Sequence, residues 1–119
     1  MAIAEPLDAP FRISGSPSEP ELLAKYFRVL ADRGRLRILE ELAAEGELSV
    51  GALAQRLGLS QPNVSNHLAC LRWCGFVATR REHRTAYNRI ADPRVMRLIG
   101  VARELLEMNE EHVASCRRA

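Results

Sequence analysis

The sequence predicts a winged helix-turn-helix, a mainly α-helical fold with one small β-hairpin that assembles as a homodimer. Two helical patterns meet at Gly58, and the apolar period changes from helical to alternating after Gly75. A long amphipathic segment then ends the chain. With 119 residues, of which 47% are hydrophobic and 27% charged, the chain has the composition of one soluble globular domain.

The beginning and the end of the chain are expected to flank a single domain at residues 19–113. Residues 1–18 contain three prolines and a glycine, which indicates a flexible N-terminal arm. Residues 114–119 form a C-terminal tail. Residues 20–31 predict a first helix, and its broad apolar surface indicates burial against both the core and a partner.

A second helix, a short strand and a third helix are expected next. Asp32 is a suitable N-cap for a second helix that runs to about Ala44. Residues 48–50 suit a short strand, and residues 50–57 suit a third helix. Gly58 ends that helix and turns the chain into the next one, which is the spacing of a helix-turn-helix.

The segment after this turn predicts the helix that reads DNA. Ser60 is a suitable N-cap, Pro62 lies in the tolerated first turn, and Gly75 is a suitable residue to end the helix. The residues that recur at helical spacing toward the core are Val64, Leu68 and Leu71. A neighbouring stripe of the helix contains Asn63, His67, Cys70 and Cys74. One helix therefore offers polar groups near its start and two thiols near its end.

A hairpin and a long helix are expected to complete the fold. Residues 76–80 and 85–90 are rich in β-formers and flank residues 81–84, which predicts a wing with a basic tip. An Asp-Pro pair at residues 92–93 then opens a last helix that runs to about Val113 with a continuous apolar seam. This seam and the apolar first helix predict the homodimer.

Positive charge is concentrated in the middle of the chain. Residues 59–91 contain five arginines and one glutamate, whereas residues 1–58 and 92–111 each carry a net charge of −2. This segregation indicates an anionic partner, most simply double-stranded operator DNA, and chance clustering on a solvated surface is the alternative. The residues predicted to contact DNA are Ser60, Gln61, Asn63, Ser65, Asn66, His67, Arg80, Arg81 and Arg84. His83 at the tip is a surface residue or a further phosphate contact.

The sequence predicts a cytoplasmic protein. It contains no apolar run of the roughly 20 residues that span a membrane, and its start lacks a signal-peptide pattern. Its three cysteines are expected to stay reduced in that compartment, and their odd number argues against a purely disulfide framework.

The chain resembles the ArsR/SmtB family of winged-helix metal-sensing repressors. The matching segments are residues 27–32, 35–39, 53–62, 64–68, 71–72 and 75–77. The resemblance implies that a dimer binds an operator and leaves it when an inducer binds. The sequence lacks the ligand residues of two metal sites known in the family. Residues 47–53 contain none of the thiols of the arsenic-type site. The zinc-type site retains Asp92, but Arg94 and Leu105 replace its histidines.

The remaining candidate metal ligands are Cys70, Cys74 and Cys116. In this respect the chain resembles the cadmium- and lead-sensing branch of the family, in which a third thiolate from the C-terminal region joins a Cys-x3-Cys pair. Thiols at i and i+4 lie on one helix face, and three thiolates suit Cd(II) or Pb(II), and also Hg(II) or As(III). Zinc normally requires a fourth ligand, for which His112 is placed one turn before Cys116.

Other interpretations stay open at this stage. Cys70 and Cys74 are also suited to simple core packing, Cys116 to an idle tail thiol, and His67 to metal ligation. A regulator whose signal is thiol oxidation, nickel or zinc, or a partner protein has the same DNA-binding features. An enzyme is disfavoured, because the sequence lacks a Cys-x-x-Cys motif, a phosphate loop and paired catalytic carboxylates.

Overall fold

Five helices and a three-stranded antiparallel sheet make up residues 17–118, the part of the chain that this computed structural model describes. The elements are α1 (Glu19–Leu30), α2 (Arg33–Glu45), β1 (Leu48–Ser49), α3 (Val50–Leu57), α4 (Gln61–Trp73), β2 (Val77–Glu82), β3 (Thr85–Ile90) and α5 (Arg94–Ser115). Residues 1–16, most of the predicted arm, lie outside the described residues. Every predicted helix is present, with its start within about two residues of the expected position.

The helices begin where the sequence provides capping side chains. The side chain of Asp32 accepts a hydrogen bond from the backbone N–H of Arg35 at 3.0 Å, as expected for the start of α2. The hydroxyl of Ser60 accepts from the backbone N–H of Asn63 at 3.2 Å and starts α4. Gly58 ends α3 in the left-handed region at φ 67°, which any side chain would strain. The predicted helix-turn-helix is therefore confirmed.

The core lies where α2, α3 and α4 meet the sheet. Phe76, Ile38 and Leu53 are fully buried there, and the ring of Tyr26 from α1 packs on Phe76 with a centroid distance of 4.3 Å. The predicted inner face of α4 is confirmed: Val64, Leu68 and Leu71 have exposed fractions of 0–2%. This burial fixes which sides of α4 face the protein and which face solvent.

The wing is longer than the sequence indicated. The structure extends β2 through Glu82, so that Arg81 pairs with Ala86 and Glu82 pairs with Thr85 in the antiparallel register. The predicted four-residue tip is therefore wrong, and the turn consists of His83 and Arg84 alone. His83 adopts φ 56° in this turn. Two-residue hairpins favour asparagine or glycine at such positions, and their absence concealed the turn in the sequence.

A buried asparagine joins all three strands, which are ordered β1-β3-β2. Asn88 in β3 is 2% exposed. Its Oδ1 accepts a hydrogen bond from the hydroxyl of Thr79 in β2 at 2.9 Å. Its Nδ2 donates to the backbone carbonyl of Leu48 in β1 at 3.1 Å. The wing is thereby attached to the strand that precedes α3.

The last helix is buried only along its first turns, and Arg103 further along forms an exposed ion pair with Glu40 of α2. Val95 and Ile99 are buried, whereas every described residue from 101 onward is exposed. Asn109 interrupts the helix with φ −124°, a break that the sequence did not indicate. In the described part of the chain, no helix is long and apolar enough to cross a membrane.

We expect Asn88→Ala to lower the free energy of unfolding by about 1–3 kcal/mol, because the Thr79 hydroxyl and the Leu48 carbonyl lose a buried partner. Chemical denaturation at fixed protein concentration, followed by circular dichroism, measures the change. Arg89→Ala removes the exposed neighbour of Asn88 in β3 and should change stability by less than about 0.5 kcal/mol. Equal losses in the two variants would show that the Asn88 hydrogen bonds do not hold the sheet together.

Candidate nucleic-acid interface and thiol site

The first turns of α4 present small polar side chains to solvent. Ser60, Gln61, Asn63, Ser65 and Asn66 are all exposed, while the opposite side of the helix is buried. The Ser60 hydroxyl is already engaged as the N-cap, so the amide and hydroxyl groups that follow it are the free hydrogen-bonding groups. Such groups hydrogen-bond base edges and phosphates, and an exposed helix face that carries them fits a major groove.

The wing arginines fall into two classes. Nε and Nη2 of Arg80 donate to the Glu47 carboxylate at 2.8–3.0 Å, and its Nη1 donates to Glu82 at 2.8 Å. These hydrogen bonds raise the pKa of Arg80, and its guanidinium also lies 4.9 Å from the ring centroid of Tyr87. Two carboxylates thus neutralise Arg80, and the structure does not favour its predicted phosphate contact.

Arg81 and Arg84 differ from Arg80. Both are exposed at the end of the wing, and within residues 17–118 neither forms an ion pair. Their charges are therefore available to an external anion. The predicted phosphate contacts remain best supported at these two positions.

His67 is turned toward the protein rather than toward solvent. Its side chain is 17% exposed, and its Nδ1 accepts a hydrogen bond from Nε of Arg35 at 3.3 Å. The carboxylate of Asp32 lies 3.7 Å from the same nitrogen. The DNA contact predicted for His67 is not favoured, because the imidazole is enclosed against the first turn of α2.

Cys70 in the last turn of α4 and Cys74 at its C-cap continue the same half-buried stripe. Burial raises the pKa of the Cys74 thiol above its usual value. The neighbouring Cys70 raises this pKa further, whereas the charges of Lys25 and Arg35 lower it. Cys74 is packed against the core, near the charges of Lys25 in α1 and Arg35 in α2.

The third predicted ligand lies apart from this pair. Cys116 is exposed after the end of α5. Among the residues described for one protomer, no three Cys, His, Asp or Glu side chains are gathered for a metal ion. The structure therefore brings two of the three predicted thiols together and leaves out both Cys116 and His112. Two adjacent soft donors fit a soft ion only in part, because a third donor must come from elsewhere.

Three contributors to the site escaped the sequence analysis. Arg35 lies 32 positions before His67, and Glu47 lies 33 positions before Arg80. Gly34 is the third, because a Cβ there would lie 2.9 Å from Nε2 of His67. No local pattern encodes contacts at such separations. Arg35 follows the capping Asp32 by three positions, but this local sequence did not indicate its contact with His67.

Comparison with known proteins adds the following similarities. Residues 32–79 match the family model described as "Bacterial regulatory protein, arsR family". The probable mercury resistance operon repressor of Streptomyces lividans is 38% identical over 101 residues, which are 85% of this chain and 80% of that protein. The regulator CmtR of Mycobacterium tuberculosis is 46% identical over 78 residues, which are 66% of this chain and 65% of CmtR. The chain thus spans slightly less than two thirds of CmtR.

Solved structures extend the similarity. The NMR structure of CmtR, described as a cadmium metal-sensor, matches with a TM-score of 0.55 and 44% identity over 65% of this chain and 79% of that one. The solution structure of Mb0332 from Mycobacterium bovis is described as a homodimeric winged helix-turn-helix DNA-binding domain. It matches with a TM-score of 0.68 and 33% identity over 84% of this chain and 95% of that one. The predicted winged helix-turn-helix fold is therefore confirmed.

We expect Arg81→Ala and Arg84→Ala each to reduce the slope of log affinity against log salt by about one, because each removes one phosphate contact. Binding to operator DNA at several salt concentrations, read by fluorescence anisotropy, measures the slope. Arg28→Ala is the matched control, since it removes an exposed arginine of α1 outside both the wing and α4.

Asn66→Ala completes this comparison. We expect it to leave the salt slope unchanged and to reduce the discrimination between operator and random DNA, since an amide at this position reads bases. Equal salt slopes in Arg81→Ala, Arg84→Ala and Arg28→Ala would remove the wing from the DNA interface.

Proposed function

The chain belongs to the arsR family of bacterial regulatory proteins, and on that premise we propose that it is a homodimeric repressor that a soft metal ion releases from its operator. The relatives described above are named as a repressor, a regulator and a DNA-binding domain, and none of them is named as an enzyme. Because its target is bacterial DNA, the proposal places the protein in the cytoplasm.

The observation that carries the proposal is the division of α4 into two functional halves. Its first turns expose Asn63 and Asn66, whereas Cys70 lies in its last turn and Cys74 is its C-cap. A helix is a rigid element, so an ion that binds the thiols acts on the same body that reads DNA. Regulation needs no separate sensor domain in this arrangement.

The ion that fits this site is soft. Thiolates at i and i+4 hold one ion between them, and thiolate ligands favour Cd(II), Pb(II) or Hg(II) over hard cations. The mercury repressor and the cadmium sensor CmtR are relatives whose names agree with this chemistry. Cd(II) and Pb(II) are the inducers that we propose first.

The geometry of α5 favours a third thiolate from the other protomer. Arg94, which opens α5, lies beside Tyr26 and Gly75, and Gly75 directly follows Cys74. The part of α5 before the break at Asn109 rises about 22 Å from Arg94, and Cys116 follows the end of the helix beyond that break. Cys116 is thus distant from the thiol pair of its own protomer, and we propose that the partner subunit supplies this ligand.

The apolar surface of α1 and α5 supports the dimer that this arrangement requires. Leu23 and Phe27 of α1 are each 48% exposed, and Leu105 of α5 is 58% exposed. Beside them lies an apolar groove of about 360 Å³ between α1, α2 and α5. Exposed apolar surfaces of this extent mark interaction sites, and the homodimeric Mb0332 domain has the same fold.

A dimer also explains how metal binding weakens DNA binding. Two α4 helices must stand about 34 Å apart to enter successive major grooves. A metal ion that joins the thiol pair of one protomer to Cys116 of the partner subunit fixes a different spacing. Allosteric coupling of this kind is typically about 1–3 kcal/mol, which corresponds to about 5–150-fold in affinity.

We expect Cys70→Ser and Cys74→Ser to fold, dimerise and bind operator, but to remain bound when Cd(II) or Pb(II) is added, because a single thiolate cannot hold the ion on α4. Cys116→Ser should bind metal more weakly and respond partially, since two ligands survive. Sulfur-to-metal charge-transfer absorption and operator affinity, measured on the same samples, test this. A parental metal response in Cys70→Ser would contradict the proposal, and peroxide-dependent release without metal would favour thiol oxidation instead.

The same titration has an expected pH dependence. Burial holds the pKa of Cys74 above its usual value, so metal binding must displace its proton at neutral pH. Cd(II) affinity should therefore rise between about pH 6 and about pH 8, with about one unit of log affinity per pH unit for each displaced proton. Cys74→Ser should reduce this slope by about one, and an unchanged slope would exclude Cys74 as a ligand.

We expect Leu105→Glu to release monomers with weak operator affinity, because the variant buries an unpaired charge in the proposed dimer interface. Sedimentation velocity at micromolar concentration measures the oligomeric state. Ala43→Glu, at an exposed position of α2 outside the apolar surface, is the control and should stay dimeric. A monomeric parent protein would contradict the dimer.

A further inference from the structure

One arginine of α2 contacts the helices on both sides of it. Nε of Arg35 donates to Nδ1 of His67 in α4 at 3.3 Å. Its Nη1 donates to the backbone carbonyl of Val29 in α1 at 3.2 Å. Both hydrogen bonds are partly buried, where water competes less with them than at a surface. A single side chain therefore connects α4 to the end of α1.

Asp32 and Gly34 lie directly beside the hydrogen bond between Arg35 and His67. Oδ2 of Asp32 accepts from the backbone N–H of Arg35 at 3.0 Å and lies 3.7 Å from Nδ1 of His67. The helices approach so closely that a Cβ on Gly34 would lie 2.9 Å from Nε2 of His67. The imidazole is thus enclosed between the cap of α2 and its first turn. Neither DNA contact nor metal ligation accounts for this arrangement.

We propose that Arg35 and His67 are positioning residues, which we call the Arg35–His67 clamp, and that this clamp sets the orientation of α4 for DNA binding. Hydrogen bonds to bases and phosphates require placement within a few tenths of an ångström, and apolar packing alone does not fix a helix that tightly. The clamp adds a directional contact midway along α4, directly after Asn63 and Asn66.

The clamp also provides a route from the thiols to the DNA-reading residues, a step that rests on the proposed function. His67, Cys70 and Cys74 follow one half-buried stripe that runs to the C-cap of α4, and Arg35 hydrogen-bonds His67 at the start of that stripe. Three thiolates with one divalent ion carry one net negative charge, which attracts a guanidinium. An ion held by the thiols would therefore draw Arg35 away from His67 and release α4 from its DNA-binding orientation.

A pair of matched charge removals tests the clamp in the metal-free protein. We expect Arg35→Gln to weaken operator affinity about 5–30-fold, the effect of losing one or two well-formed contacts. Arg37, on the same helix, is exposed and has no hydrogen bond or ion pair in the part of the chain described here. Arg37→Gln should weaken binding less than about threefold. Equal losses would show that Arg35 acts through its charge alone and would overturn the clamp.

His67 variants separate positioning from simple stability. The Oδ1 of an asparagine can replace Nδ1 as an acceptor, so His67→Asn should retain operator affinity to within about threefold. His67→Leu fills the space without an acceptor and should resemble Arg35→Gln. If both variants bind equally well while thermal unfolding is unchanged, the hydrogen bond has no positioning role.

Gly34→Ala disturbs the Arg35–His67 clamp from the first turn of α2 without removing a polar group. The added methyl group must displace the imidazole, so the backbone amide NMR signals of Asn63 and Asn66 should shift and operator affinity should fall. Unshifted signals in a folded Gly34→Ala protein would contradict the proposal, because α4 would then be insensitive to the position of His67.

Measurements with added Cd(II) distinguish this proposal from the proposed function. In Arg35→Gln, Cd(II) should give the parental sulfur-to-metal absorption, but the ratio of operator affinities without and with Cd(II) should fall toward one. A parental ratio in Arg35→Gln would overturn the route through the clamp while leaving the metal sensor intact. Absence of metal binding in the parent would overturn the proposed function, and the metal-free affinities would still decide the positioning role.

Discussion

The burial of one side of α4 is the constraint on which the rest of the structure depends. Val64, Leu68 and Leu71 are 0–2% exposed and pack into the core formed with α2 and α3. Full burial of an aliphatic side chain contributes about 1.5–3 kcal/mol, whereas a net hydrogen bond contributes about 0.5–1.5 kcal/mol. Apolar packing therefore fixes the rotation of α4 about its axis. Polar contacts on its other sides, among them the Arg35–His67 hydrogen bond, then set the finer placement of the helix without rotating it about its own axis.

This rotation decides what each remaining side of α4 can do. The exposed side carries Asn63 and Asn66 and faces whatever approaches from solvent. The half-buried side carries His67, Cys70 and Cys74, and His67 on this side contacts the first turn of α2. A metal ion on the half-buried side changes contacts within the protein, whereas one on the exposed side would only obstruct DNA. The placement of the thiols therefore suits an allosteric response better than direct competition with DNA.

Local sequence signals predicted the helices, whereas they could not predict contacts between residues that are distant in the sequence. Ser60, Asp32 and Gly58 determine helix ends through neighbours within a few residues, so the sequence alone located α2, α3 and α4. The pairing of Arg80 with Glu47 joins residues 33 positions apart, and it depends on how β1 and β2 flank β3. By residue type alone, the three wing arginines Arg80, Arg81 and Arg84 are equivalent. Only the sheet register shows that Arg80 is neutralised by carboxylates.

The proposed metal site shows the same division between local and non-local contacts. Spacing within α4 was sufficient to place Cys70 beside Cys74, because helix geometry fixes contacts at i and i+4. The position of Cys116 depends on a 22-residue helix that leaves the core after Ile99. A helix that exposes Leu105 and Leu106 presents an apolar surface that suits a partner. In the proposed dimer, the element that packs on the second protomer is also the one that carries the third thiol away from its own pair, so dimerisation and completion of the proposed metal site become one requirement.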